Sequence, residues 1–199
     1  MQTSFTLSLL LAFALTILTA EAKPTIIIDP GHGGKDPGGL YGNYYEKTYA
    51  LRTALELERR LKQMGYRTVM TRRSDIFLSL PQRTQRANRY GANAIFVSIH
   101  FNAHRSSRPH GIETYYASSR GRQLAKSTQK ATSRRVHIRD RGTRKANFYV
   151  LLNTTMPAIL FEGGFLSNSS DRSLILTSAY RSNLARGLSE GIHAFAKTY

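Results

Sequence analysis

Four ionisable residues stand where short apolar runs end or a helix begins, and their types are those of a hydrolytic metal site. His32 lies in T-I-I-I-D-P-G-H-G-G-K-D-P-G-G after three isoleucines, His100 falls near the end of A-I-F-V-S-I-H-F-N, Glu162 ends A-I-L-F-E, and Glu46 follows the first glycine-rich turn. Two imidazoles and one carboxylate make the ligand set of a catalytic zinc ion with one position left for water, and a second carboxylate is what a general base needs to be. Spacing does not sort the two glutamates. Nor is there a local ligand motif, since the H-x-x-x-H pair His100 and His104 straddles the end of an apolar run. Each residue also has a plainer role: His32 as a turn histidine, and Glu46 as the partner of Asn43 in a helix capping box. His104 and His110 read as solvated loop residues in an Arg-, Ser- and Pro-rich stretch.

The elements that must position these groups follow from periodicity. Three consecutive isoleucines suit a strand covered on both faces, and open α/β sheets place their sites at the carboxyl ends of such strands. Residues 43–64 carry Ala50, Leu51, Ala54, Leu55, Leu57 and Leu61 near helical spacing, with Gly65 as the stop. Further strands are predicted at 67–71, 94–102, 111–117, 148–152 and 158–161, and helices at 81–90, 120–131, 172–176 and 179–197. Residues 133–145, with Arg134, Arg135, Arg139, Arg141, Arg144 and Lys145, read as a solvated basic loop able to touch an anionic ligand. The alternation predicts one α/β domain, a mostly parallel twisted sheet with helices on both faces.

Composition narrows the setting. The 199 residues hold no cysteine, which excludes disulfides, thiolate metal sites and a Cys nucleophile, so a metal must be held by His, Asp or Glu. The net charge of +17 points to an anionic partner. Residues 5–20 form an almost unbroken apolar run followed by Ala20-Glu21-Ala22, which predicts a signal peptide at 1–22 cut after Ala22 and an exported protein at 23–199. No Lys or Arg precedes the run, and an uncleaved anchor is the competing reading. An exported basic protein meets anionic wall polymers and lipid surfaces before nucleic acid.

The motifs around the four residues, together with Y-E-K at Glu46, V-S-I-H-F-N-A at His100 and P-A-I-L-F-E-G-G-F-L-S-N at Glu162, resemble the zinc-dependent N-acetylmuramoyl-L-alanine amidases of the AmiA/AmiB/AmiC and CwlM type, the amidase 3 family. M-T-R-R-S-D, L-P-Q-R-T-Q-R-A-N and G-I-E-T-Y-Y stand between them in the expected order, so the resemblance covers residues 24–199. It implies one Zn2+ on His32, Glu46 and His100, and Glu162 as the catalytic carboxylate. It also implies hydrolysis, in the periplasm or cell envelope, of the amide joining N-acetylmuramic acid to the L-alanine of the peptidoglycan stem peptide. Asn102 and Arg141 are the substrate-binding candidates. Phe101 stands where family members usually have a small residue and is expected to reshape a wall of the cleft. Residues 116–141 have room for one short helix, whereas regulated members carry an inserted helix covering the metal there, so no activator is expected. No wall-targeting domain or binding repeat is evident, which leaves the basic surface as the expected targeting device.

Ser127-Thr128-Gln129-Lys130 fits S-x-x-K, the nucleophile motif of penicillin-binding enzymes, without its partner motifs, and raises a second, serine-dependent activity as a side reading. Three other functions compete with the amidase: a zinc peptidase cutting another stem-peptide bond, a glycosidase using Glu46 and Glu162, and a non-catalytic module binding anionic wall polymers. The last explains the charge but not the four residues.

Overall fold

Ile26, Ile27 and Ile28 are fully buried because β1 (Thr25–Pro30) runs inside a six-stranded sheet with a strand on either side. The computed structural model describes residues 23–198, so the predicted signal peptide lies outside the described residues. After β1 come a hairpin of β2 (Leu40–Tyr41) and β3 (Tyr44–Tyr45), then α1 (Glu46–Gln63), β4 (Thr68–Met70), α2 (Leu80–Asn88), β5 (Ala94–Asn102) and β6 (Ile112–Tyr116). α3 (Ser119–Ser133), β7 (Asp140–Lys145), α4 (Tyr149–Leu152), β8 (Ala158–Phe165), α5 (Ser169–Ile175) and α6 (Ser178–Ala196) complete the described chain. The strand order is β4-β1-β5-β8-β6-β7, and every pairing is parallel except that of β6 with β8.

Alternation along the strands sorts side chains into two layers, as a pleated sheet requires. Ile26, Ile28, Ile95, Val97, Ile99, Phe101 and Phe161 pack with α1, α3 and α6, while Ile27, Ala94, Phe96 and Leu160 pack with Ala87 of α2 and Val150 and Leu151 of α4. By the same alternation His100 and Glu162 fall on the α2/α4 side. Each isoleucine contributes roughly 1.5–3 kcal/mol on burial, so β1 is anchored by more than the strained turn after it costs. Among the described residues no helix is long and apolar enough to cross a membrane.

Three local expectations need correction. Residues 148–152 form helix α4, not a strand; five apolar residues are too short a run for periodicity to separate the two. Part of the expected basic loop is β7, a polar edge strand paired with β6, where the charges stand on an exposed margin. α1 starts at Glu46 itself behind Tyr45, without a side-chain cap, so Asn43 and Glu46 form no capping box. Asn43 lies instead in the turn of the hairpin of β2 and β3. Elsewhere the expected boundaries shift at the ends, the largest change being the extension of β8 to Phe165.

Candidate metal centre

The turn after β1 is held by two buried arginines whose partners are carbonyl oxygens. Arg72 donates to Pro30 O at 3.0 Å and Gly31 O at 2.6 Å, and Arg83 donates to Pro30 O at 2.7 Å and His32 O at 2.6 Å. Arg83 also reaches Asp29 at 2.8 Å, and Thr71 and Ser98 complete that carboxylate. The turn therefore sets His32 in the left-handed region, φ 56°, a conformation costing about 1–3 kcal/mol for a residue with a side chain. Gly31 is required by contact: a Cβ there would lie 2.3 Å from the His100 ring.

His32, Glu46 and His100 meet over the ends of β1 and β5. The Glu46 carboxylate is buried, with one oxygen 2.8 Å from His100 Nδ1 and 3.1 Å from the Phe101 N–H, the other 3.1 Å from His32 Nε2 and 2.7 Å from the Gly39 N–H. Burial alone would raise its pKa, but the hydrogen bonds and charge of His100 and His32 hold it well below the usual carboxylate range. Asp36 accepts from His32 Nδ1 at 2.8 Å, which turns Nε2 toward Glu46. Burial disfavours the charged imidazole of His32, yet Glu46 and Asp36 together raise its pKa. Asp36, missed by sequence reasoning, is the orienting carboxylate that metal-bound histidines generally have; its position four residues after His32 was the available signal. If this triad holds a divalent cation, Asp36→Ala is expected to weaken its binding by about 10- to 100-fold with the fold intact, because the Asp36 side chain is 41% exposed; competitive chelation measures this, and an unchanged affinity would contradict the orienting role.

Donor chemistry and separation both suit a divalent cation. The three groups offer ligand atoms within 4.8 Å of one another, where neighbouring ligand atoms of a tetrahedral zinc site lie ~3.3–3.6 Å apart.

Glu162 sits directly across from His100 in the pairing of β5 with β8, and across from Glu113 on β6. It lines a cavity of about 510 Å³ with His32, His100, Asp29 and Arg83, walled on its apolar side by Phe77, Leu80, Phe148 and Tyr149. Its Oε2 is buried without a hydrogen-bond partner. Burial, then the charges of Glu46 and Glu113, push its carboxyl well above the usual range.

Asn102 and Arg141 meet not in the cavity but on Glu113, Asn102 donating to one oxygen at 2.9 Å and Arg141 to the other at 3.1 Å. Glu113, 2% exposed, is the residue that sequence reasoning left without a role. Phe101 does not form a cleft wall. Alternation puts it on the opposite face from His100, against Tyr49, and Gly163 leaves room for its ring, since a Cβ there would lie 2.6 Å from it. Ser127 donates to the Gly191 carbonyl at 2.8 Å in the packing of α3 on α6, and Lys130 is exposed, which gives the S-x-x-K motif a structural use. α3 thus lies against α6 and not over the cleft.

A model of the family described as N-acetylmuramoyl-L-alanine amidase, Amidase_3, matches residues 26–194. The chain belongs to this amidase family. The catalytic domain of CwlV, the N-acetylmuramoyl-L-alanine amidase of Bacillus (Paenibacillus) polymyxa var. colistinus, superposes with a TM-score of 0.84 at 39% identity, over 88% of this amidase-family chain and 99% of that domain. LytC of Bacillus subtilis, an N-acetylmuramoyl-L-alanine amidase, is 36% identical over 171 residues, and LytH of Staphylococcus aureus, a probable cell wall amidase, is 34% identical over 184. These matches cover 84% and 89% of this chain but 34% and 61% of LytC and LytH. The chain spans about a third of the first and three fifths of the second.

Proposed function

We propose that residues 23–199 are a zinc-dependent peptidoglycan hydrolase that acts outside the cytoplasm on the amide between N-acetylmuramic acid and the L-alanine of the stem peptide. The observation that carries this reading is the Glu46 carboxylate held between His32 and His100, with the unpartnered Glu162 oxygen beside it on the neighbouring strand. His32, Glu46 and His100 are the residues that would hold the ion. Bound there, zinc would supply a Lewis acid and lower the pKa of a water at neutral pH.

The other steps fall to the chain's own groups. Glu162 takes a proton from the attacking water and returns one to the departing alanine nitrogen as the carbon–nitrogen bond breaks. Its surroundings suit both tasks: burial, then the charges of Glu46 and Glu113, favour the protonated form, while a cation held by the triad would offset the charge of Glu46 and favour the basic form. The apolar wall of Phe77, Leu80, Phe148 and Tyr149 limits water around the scissile bond. Asn102 at the end of β5 and Arg141 on β7, tied together by Glu113 of β6, form a polar margin for the substrate's peptide or its carboxylates.

The test is incubation of the purified protein with peptidoglycan, alone and with a chelator, followed by identification of the new termini. New L-alanine amino termini, formed without an added activator and abolished by chelation until zinc is restored, are the expected result. New reducing sugar ends would favour the glycosidase, another cut peptide bond the zinc peptidase, and no new termini a binding module. A further expectation concerns targeting: if the excess of Lys and Arg retains the protein on anionic wall material, binding to sacculi should weaken as the Debye length falls from ~10 Å at 0.1 M salt to ~3 Å at 1 M. Co-sedimentation that stays constant over this range would mean recognition by shape.

A further inference from the structure

On the sheet layer opposite the cleft, α1 and the start of α6 border an open surface cavity of about 550 Å³, whose polar lining is Arg52, Glu56, Arg59, Ser178, Arg181 and Ser182. Its one acid is already neutralised. Glu56 lies 2.7 Å from Arg59 and 3.0 Å from Arg60, and accepts from the Ser182 hydroxyl at 3.2 Å.

Arg52 and Arg181 have no such partner. Among the described residues neither forms an ion pair with a carboxylate, yet both guanidinium groups approach the same Tyr49 ring, at 6.0 and 5.9 Å from its centroid. Arg181 is only 9% exposed and donates to the Ile175 carbonyl at 2.6 Å. Burial, and then the charge of Arg52, pull its pKa below the ordinary arginine value. Both guanidinium groups line this cavity and neither is paired with a carboxylate, so a bound anion would supply a counter-charge that the described residues do not.

The geometry of the donors selects the anion. Planar guanidinium forks match oxyanions bidentately, and Arg52, Arg181 and Ser178 all line the cavity, so a tetrahedral group with several oxygens offers each of them an acceptor. Ser178 opens α6, whose N-terminal end adds to the positive potential. The cavity is larger than a free phosphate, which leaves room for an esterified group. We infer that the cavity between Arg52 and Arg181 is a second, non-catalytic site that binds a phosphate group. The inference stands apart from the proposed activity, and its readout is binding.

The test is a titration of the purified protein with inorganic phosphate, followed by NMR at the Nε–H resonances of Arg52 and Arg181. Saturable shifts at both are expected. Arg52 is exposed, so Arg52→Gln leaves the fold intact and should raise the dissociation constant by about tenfold or more, the loss of a charge-assisted contact. Arg52→Lys, which keeps the charge and loses the fork, should recover only part of the affinity. Arg134→Gln removes the same charge from an exposed position and should change binding by less than about twofold. Vesicles of phosphatidylglycerol, with phosphatidylcholine as reference, separate the sources of the phosphate. If Arg52→Gln releases the protein from phosphatidylglycerol and Arg134→Gln does not, a lipid headgroup is the ligand; an equal effect of both, with the phosphate titration still dependent on Arg52, assigns soluble phosphate or its esters. Shifts spread without saturation over exposed arginines, or equal phosphate affinity in Arg52→Gln and Arg134→Gln, would overturn the site.

Discussion

Glu162→Ala is expected to keep zinc and fold while turnover on peptidoglycan falls by about 10²- to 10⁴-fold, the usual loss for removing a general acid or base. The expectation rests on what Glu162 touches. Its Oε2 has no hydrogen-bond partner, so at that oxygen truncation orphans no donor, and the residue lines a cavity that can take up the lost volume. Removing it also takes out a buried carboxyl group that burial, Glu46 and Glu113 all disfavour in its charged form. Stability should hold or rise slightly. Glu162→Gln, which keeps the shape and loses the proton exchange, should be as inactive. Zinc content by mass spectrometry and a melting curve accompany the assay; a variant that lost its zinc, or one that retained near-normal turnover, would deny Glu162 the role of proton carrier.

Glu46→Ala should fail in a different way, losing zinc, activity and stability together. One of the three proposed ligands disappears, and four groups lose their acceptor at once: His32, His100 and the N–H groups of Gly39 and Phe101. The Phe101 N–H is buried, and an unsatisfied buried donor costs about 1–3 kcal/mol. The metal-free variant should therefore melt below the metal-free parent. That comparison separates loss of the ion from loss of the local framework. If zinc instead survived in Glu46→Ala and dropped in Glu162→Ala, the roles of the two glutamates would be exchanged.

Much of this architecture is legible along the chain because it is carried by local signals. Ile26 to Ile28 and the run at 94–102 suit buried strands by their β-branched residues, and α1 and α6 repeat their apolar residues at helical spacing. The chemistry of the site was equally local in kind, for His32, Glu46, His100 and Glu162 each stand at the end or start of an element. What a single sequence does not carry is the meeting of residues far apart. Nothing near Asp29 announces Arg83, and nothing near Asn102 announces that Glu113 collects both it and Arg141. Sheet register decided that His100 and Glu162 stand side by side while Phe101, one residue on, turns into the core.

The errors have the same origin. Residues 140–145 have no apolar pattern because β7 is an edge strand, and they pair only because β6 passes beside them. Residues 148–152 are too few to show a period, and α4 is settled by packing Val150 and Leu151 against Ala158 and Leu160 of β8. Asn43 and Glu46 have the spacing of a cap, but two histidines and two backbone N–H groups from elsewhere offer the carboxylate more than a local cap does. Residue type and periodicity thus determined the elements and the kind of chemistry. Tertiary structure alone decided which carboxylate lies between the histidines and which stands free, because that depends on contacts made across more than fifty residues of chain.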